Sequence, residues 1–183
     1  MAVTIPNIIT LIRLLLIPVF IITMQNHGFT WALSLFAVAA ISDALDGFLA
    51  RMLNQRTSIG AMIDPIADKL LVVSAFTCLS IMGITPSWLT VIVISRDVVI
   101  LLGYGVLRAS DVRIAVKPSI ISKCNTCLQF FTISGELFRQ VRPAFIPEIC
   151  TDWLYGGTAL LTVVSGFHYI YIGVRTDSRS PAP

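Results

Sequence analysis

Four aspartates lie close together in an otherwise apolar part of the chain: Asp43, Asp46, Asp64 and Asp68. A carboxylate at the centre of a membrane helix costs roughly 2.5–3.5 kcal/mol on insertion scales, and neighbouring carboxylates also repel one another. Grouping four of them within 26 residues therefore implies a cation among them. Oxygen-only ligands favour Mg²⁺, Mn²⁺ or Ca²⁺ over zinc, and four carboxylates can hold the two divalent ions of a phosphoryl-transfer centre.

Two other interpretations of these carboxylates stay open at this point. They could relay protons or sodium ions in a cation-coupled carrier, or they could neutralise interior cations such as Arg51 and Lys69. A relay usually distributes its carboxylates along a path through several spans, whereas these lie at one level. A ligand can approach the backbone closely beside small residues, and small residues flank the carboxylates: Gly47, Ala50, Gly60 and Ala61.

The composition indicates an integral membrane protein. Of its 183 residues, 56% are hydrophobic and 13% are charged, about half the charged fraction of an ordinary soluble domain. No basic run or aromatic-plus-basic groove indicates a nucleic-acid partner. We expect an all-α bundle of six transmembrane helices over residues 1–175 and a disordered tail over 176–183. Six apolar segments are long enough to cross a bilayer, at about 6–24, 30–50, 60–82, 87–107, 118–138 and 152–174.

The connections between these segments predict an orientation. Seven Lys or Arg residues lie on one side and only Arg139 and Arg142 on the other, so the richer side and both termini are expected to be cytoplasmic. Trp31, Trp88 and Trp153 begin spans 2, 4 and 6, where an outer aromatic belt is expected. We expect a bacterial cytoplasmic membrane with the aspartates near its cytoplasmic face, and a mitochondrial inner membrane stays open.

Helical spacing brings the aspartates together. Asp43 and Asp46 are three residues apart, Asp64 and Asp68 are four apart, and each pair shares one helical face. Because the connection between the two helices is short, we expect antiparallel neighbours whose carboxylates converge in one pocket.

The aspartates belong to a longer string that resembles the signature of the CDP-alcohol phosphotransferases, D-x₂-D-G-x₂-A-R-x₈-G-x₃-D-x₃-D. All eight fixed positions are present between Asp43 and Asp68. The resemblance implies an enzyme that transfers the phosphatidyl group of a CDP-lipid, usually CDP-diacylglycerol, to an alcohol and releases CMP. It also implies a homodimer, and Mg²⁺ or Mn²⁺, as two ions, held by the four aspartates, with Asp68 as the base for the acceptor hydroxyl. The cytidine and pyrophosphate site would be lined by Gly47, Ala50, Arg51 and Gly60.

The start of the chain, "PNIITLIR", resembles the opening segment of the same family, P-N-x₂-T-x₂-R. Asn7, Thr10 and Arg13 lie on one helical face, and we assign them to the CDP-lipid. An arginine inside a span is expensive unless it meets an anion. For Arg13 the alternative is that its head reaches the cytoplasmic surface while its stem stays in the membrane.

Two interior cations further along the chain, Arg96 and Lys123, predict a subsite for a phosphate on the acceptor. The alternative is that Asp97 simply neutralises Arg96. The segments "SRDVVILLG" and "KPSIISKCNT" look most like the cardiolipin synthase branch, whose acceptor is phosphatidylglycerol. The phosphatidylglycerophosphate synthases, which use glycerol 3-phosphate, have a similar signature, so both acceptors stay open.

Overall fold

The computed structural model describes residues 5–52, 60–109 and 120–177, with side chains at 11–42, 67–103 and 120–171. Within these residues the chain forms six helices and no strand, which confirms the all-α prediction. Their ends agree with the apolar segments to within four residues. They are α1 (Ile5–Gln25), α2 (Phe29–Met52), α3 (Gly60–Ile81), α4 (Ser87–Ala109), α5 (Ile120–Val141) and α6 (Glu148–Asp177).

Two helices end in the same kind of tight turn. After α3, the N–H of Ile84 donates to the carbonyl of Leu79 at 2.9 Å, and Gly83 has a φ of 69°. After α1, the N–H of Gly28 donates to the carbonyl of Thr23 at 3.0 Å, and His27 has a φ of 56°. A residue in the left-handed region closes a helix because it lets the next N–H reach back five residues. The chain therefore reverses at once between α1 and α2.

One compact unit contains residues 1–85 and 133–147. Within it α1 packs against both α2 and α3. Arg13, Ile17, Phe20 and Met24 form the buried stripe of α1, at the spacing of one helical face. Phe20 meets Phe36 of α2 with ring centroids 6.1 Å apart, at a tilted angle. The first unit is thus organised around α1.

The second compact unit contains residues 86–132 and 148–183, in which α4 packs against α6. Its buried faces are unusually polar. Asn125, Gln129 and Thr132 are buried on α5, one turn apart, whereas Phe131 and Phe167 are exposed. Buried polar side chains also follow one face of α6: Thr151, Thr158, Thr162 and Ser165.

Over the parts of the chain that the structure describes, none of the six helices combines the length and the sustained apolar character that a membrane crossing needs. Six helices are therefore confirmed, and their crossing of a membrane stays a prediction. Of the tail predicted over 176–183, Thr176 and Asp177 belong to α6, and the remainder lies outside the described residues.

Candidate active site

Most of the predicted site residues can be placed on helices only. Their side chains lie outside the described residues, so their convergence stays a prediction. Asn7 and Thr10 belong to α1, Gly60 and Asp64 belong to α3, and the remainder belong to α2: Asp43, Asp46, Gly47, Ala50 and Arg51. The side chains that the structure does describe are those of Arg13, Asp68, Arg96 and Lys123.

Arg13 and Asp68 form an ion pair between α1 and α3. Nη1 of Arg13 donates to Oδ1 of Asp68 at 2.6 Å, a short distance typical of charge-assisted hydrogen bonds. The side chain of Arg13 is 1% exposed and that of Asp68 is 31% exposed. The guanidinium therefore stays inside the unit and does not reach the surface, which argues against the alternative interpretation of Arg13.

The burial of Arg13 gives this ion pair a structural as well as a chemical role. A buried charge that loses its partner destabilises a fold strongly, because the remaining charge keeps its desolvation penalty. Arg13 shares its buried stripe with Ile17, Phe20 and Met24, which fix the position of the helix around it. Asp68 is consequently held in place by a side chain that cannot easily move.

The register of α1 and α2 brings backbone position 43 of α2 to about the level of Arg13 in α1. The two helices run antiparallel after their tight turn, and Phe20 lies beside Phe36. Moving seven residues along each helix, from 20 to 13 and from 36 to 43, covers the same rise. Position 43 therefore lies at about the level of Arg13, and Asp68 of α3 contacts the end of the Arg13 side chain. This backbone register is the one that a shared carboxylate pocket requires, and the pocket itself stays a prediction.

Arg96 lies in the second unit, where several polar groups surround it. Its Nη1 donates to Oδ1 of Asp97 at 2.7 Å. Its Nη2 donates to Oγ of Ser122 and to Oγ of Ser165, each at 2.7 Å. The guanidinium carbon also lies 5.9 Å from the centre of the Tyr169 ring, within the range of a cation–π interaction. The pairing with Asp97, stated above as the alternative, is thus present.

Sequence reasoning missed the two serines that hold Arg96. A single serine in an apolar helix carries no signal of its own. Ser165, however, continues the one-turn spacing of Thr158 and Thr162 along α6, and that spacing could have indicated a polar inner face. Lys123, which the sequence paired with Arg96, is exposed on α5 and is not among these contacts of Arg96.

Comparison with known proteins identifies the family. A model of the CDP-alcohol phosphatidyltransferase family matches residues 3–165. The chain belongs to this family. The match covers most of the chain and includes both helices that carry the aspartate signature.

Several curated proteins are similar to the chain over 90% or more of its length. A probable phosphatidylglycerophosphate synthase of Mycobacterium tuberculosis is 35% identical over 92% of the chain and 81% of the relative. The human cardiolipin synthase (CMP-forming) is 32% identical over 94% of the chain and 62% of the relative. The CDP-diacylglycerol–glycerol-3-phosphate 3-phosphatidyltransferase of Bacillus subtilis is 31% identical over 90% and 92%. The prediction of a phosphatidyl-transferring enzyme is confirmed, and the relatives divide between the two branches.

Proposed function

We propose that the protein transfers the phosphatidyl group of CDP-diacylglycerol to a glycerol-type acceptor, either phosphatidylglycerol or glycerol 3-phosphate, and releases CMP. Family membership and the names of the relatives support this reaction. The observation that carries it is the ion pair of Arg13 and Asp68, because it links the opening segment of the family to the last aspartate of its signature.

The proposed reaction gives Asp68 the task of accepting a proton. An acceptor hydroxyl ionises only at high pH, so a carboxylate beside it increases the rate by removing its proton as the new bond forms. The acceptor oxygen then bonds to the phosphorus that carries the diacylglycerol. The bond from that phosphorus to the bridging oxygen breaks, and CMP leaves with the electron pair. Asp68 suits this role because Arg13 orients it and 31% of its side chain is accessible.

The donor set of the signature fits divalent metal ions. Four carboxylates offer only hard oxygen ligands. Asp68 contacts Arg13 of α1, and position 43 lies at about the level of the same residue. We propose that Asp43, Asp46, Asp64 and Asp68 hold Mg²⁺ or Mn²⁺, as two ions. When bound, such ions neutralise the pyrophosphate charge and stabilise the leaving phosphate.

The same proposal assigns the remaining site residues. Arg51 is suited to bidentate contacts with the pyrophosphate. Arg96 and Lys123 are assigned to a phosphate on the acceptor. The cytidine and phosphates of the CDP-lipid are assigned to residues of the opening segment and of the signature: Asn7, Thr10, Arg13, Gly47, Ala50, Arg51 and Gly60.

We further propose that the six helices form a membrane bundle with the site on the cytoplasmic side. Large apolar side chains such as Leu15, Val91 and Leu160 are exposed, whereas Arg13, Arg96 and Glu136 are buried. This distribution suits a lipid surrounding, in which apolar groups face outward and charged groups face the interior. It also agrees with a substrate that carries two acyl chains.

An assay with purified protein tests this function. The protein in detergent is given CDP-diacylglycerol, Mn²⁺ or Mg²⁺, and one acceptor at a time, and both CMP and lipid product are measured. We expect product with one or both acceptors, and none after chelation of the metal until Mg²⁺ or Mn²⁺ is restored. Absence of CMP release with every acceptor would refute the proposal and favour a carrier. Product with a single acceptor would assign the protein to the cardiolipin synthase branch or to the phosphatidylglycerophosphate synthase branch.

A further inference from the structure

A ladder of polar side chains runs inside the second unit, between α5 and α6. It comprises Ser122, Asn125 and Gln129 on α5 and Thr158, Thr162 and Ser165 on α6, and we call it the polar seam. At one end Nη2 of Arg96 bridges Ser122 and Ser165. One turn further along, Oγ1 of Thr162 donates to Oδ1 of Asn125 at 2.8 Å. Residue numbers rise along α5 as those of their partners fall along α6, so the two helices run antiparallel along the polar seam.

Three hydrogen-bond donors in this region have no acceptor among the described residues. They are Nε of Arg96, Nδ2 of Asn125 and Nε2 of Gln129. Asn125 is 0% exposed, Gln129 is 3% exposed and Arg96 is 9% exposed. A buried donor without an acceptor costs free energy, and native proteins rarely retain one unless something else binds it.

The three donors follow one another along the seam. Ser122, which contacts Arg96, lies about 4.5 Å from Asn125 along the axis of α5, and Gln129 lies about 6 Å further. A molecule that satisfies them must therefore present several acceptor oxygens in a row. The guanidinium suits an oxyanion, whereas the carboxamides and the neighbouring hydroxyls suit neutral oxygens.

We propose that Asn125 and Gln129, together with Arg96, form the subsite for the glycerol phosphate part of the acceptor. The inference rests on the proposed function, because both candidate acceptors contain this group, one as a lipid headgroup and the other in free form. Arg96 contacts the phosphate, and the carboxamides donate to oxygens further along the glycerol phosphate. Asn125 and Gln129 thereby favour acceptors that carry a glycerol phosphate group over other alcohols.

The test replaces Gln129 by methionine, which keeps the length of the side chain and removes its donors. Gln140→Met makes the same change on the same helix outside the seam and serves as the matched control. For each variant, KM is measured for phosphatidylglycerol, glycerol 3-phosphate and CDP-diacylglycerol. The thermal unfolding of each variant is also followed with each acceptor alone, so that binding is detected without turnover.

For Gln129→Met we expect the KM of the acceptor in use to rise about tenfold, consistent with the loss of one hydrogen bond. The KM for CDP-diacylglycerol should not change, and the stabilisation by the acceptor alone should disappear. The unliganded variant should be as stable as wild type, since it no longer buries an unsatisfied donor. Gln140→Met should behave as wild type in every measurement.

The possible results separate this subsite from the proposed reaction. If wild type forms product and Gln129→Met keeps the acceptor KM and the thermal shift, the subsite is refuted, and only water fills the seam. If wild type forms no product but an acceptor stabilises it and fails to stabilise Gln129→Met, the proposed reaction fails and the binding site stands. Should Gln129→Met not fold, Asn125→Leu combined with Thr162→Val removes the neighbouring donor and its partner, and the same rise in KM is expected.

Discussion

The ion pair between Arg13 and Asp68 has two roles. The guanidinium is fully buried and requires an anion, and Asp68 supplies it at 2.6 Å. In return, Arg13 fixes the direction of a carboxylate to which we assign both metal binding and proton transfer. A preoriented carboxylate is valuable in catalysis because the orientation has been established before the substrate arrives.

Replacing Asp68 by asparagine should affect both roles. Asparagine has nearly the same shape and keeps an oxygen that can accept from Nη1 of Arg13, but it cannot take a proton. We expect kcat to fall by about 10²–10⁴-fold, the usual contribution of a general base. The melting temperature should fall as well, because Arg13 stays charged and buried without this anion. Asp152→Asn, an exposed position on α6, is the control and should remain active. Wild-type turnover by Asp68→Asn would show that another group accepts the proton.

Replacing Arg13 by methionine should affect stability as well as activity. The variant removes the buried charge and leaves Asp68 without this contact, so activity should be lost even though the carboxylate remains. In a double-mutant cycle with Asp68→Asn, we expect a coupling free energy of roughly 0.5–3 kcal/mol, the range for residues in direct contact. The free energy of unfolding in mixed micelles measures it. Additive effects of the two changes would mean that the pair contributes no stability.

At the scale of helices, hydrogen bonds link α5 and α6 within the second unit. Oγ1 of Thr132 and Oγ1 of Thr158 lie 2.8 Å apart, and Thr162 donates to Asn125. In a lipid surrounding there is no hydrophobic force between helices, so such bonds and close packing are what hold them together. The polar inner face of α6 is therefore a helix-pairing surface as well as a proposed binding surface.

Thr132→Val tests the contribution of one such bond. Valine fills the same space, but Thr158 loses this partner in a fully buried position. We expect a loss of about 0.6 kcal/mol and at most about 1.7 kcal/mol, as for interhelical bonds in membrane bundles. Thr132→Val combined with Thr158→Val should cost less than the sum of the two single changes. Thr126→Val, which removes only an exposed bond within α5, should have almost no effect, and an equal loss at both sites would contradict the prediction.

The helices were predictable from the sequence, but several of their contacts were not. Long apolar segments located all six helices, because each segment is much longer than a typical β-strand. The start of α6 lies four residues earlier than its apolar segment, at Glu148, since an acidic residue in the first turn favours the helix dipole. The signature placed Asp68 on α3, yet its pairing with Arg13, 55 residues away, depends on how α1 packs. The serines around Arg96 likewise have no sequence pattern of their own.

Across the side chains that the structure describes, polar and charged groups share the buried positions with apolar ones, and many large apolar side chains are exposed. Charged and amide side chains such as Arg13, Asn125 and Glu136 are buried, and Phe131 and Leu160 are exposed. A water-soluble chain would normally bury such apolar side chains. The pattern supports the proposed membrane location. It also predicts which exposed cysteines face lipid and which face water.

Chemical labelling of two cysteines should test this location. Cys127 and Cys150 are both exposed on the protein, but Cys127 lies about 10 Å from the start of α5 along its axis, whereas Cys150 lies in the first turn of α6. In single-cysteine variants within intact membranes, a membrane-impermeant maleimide should label Cys150 and not Cys127, because lipid excludes the water-soluble reagent. Denaturation in detergent should make both reactive.

The same experiment determines the orientation. In sealed vesicles with the outer face exposed, Cys150 should be labelled from outside, and a cysteine introduced by Ser178→Cys in the C-terminal tail should react only after the vesicles are opened. This follows from the excess of Lys and Arg on the side of the termini. Reaction of Ser178→Cys from outside with protection of Cys150 would reverse the orientation. Equal labelling of Cys127 and Cys150 in membranes would show that this face of α5 meets water.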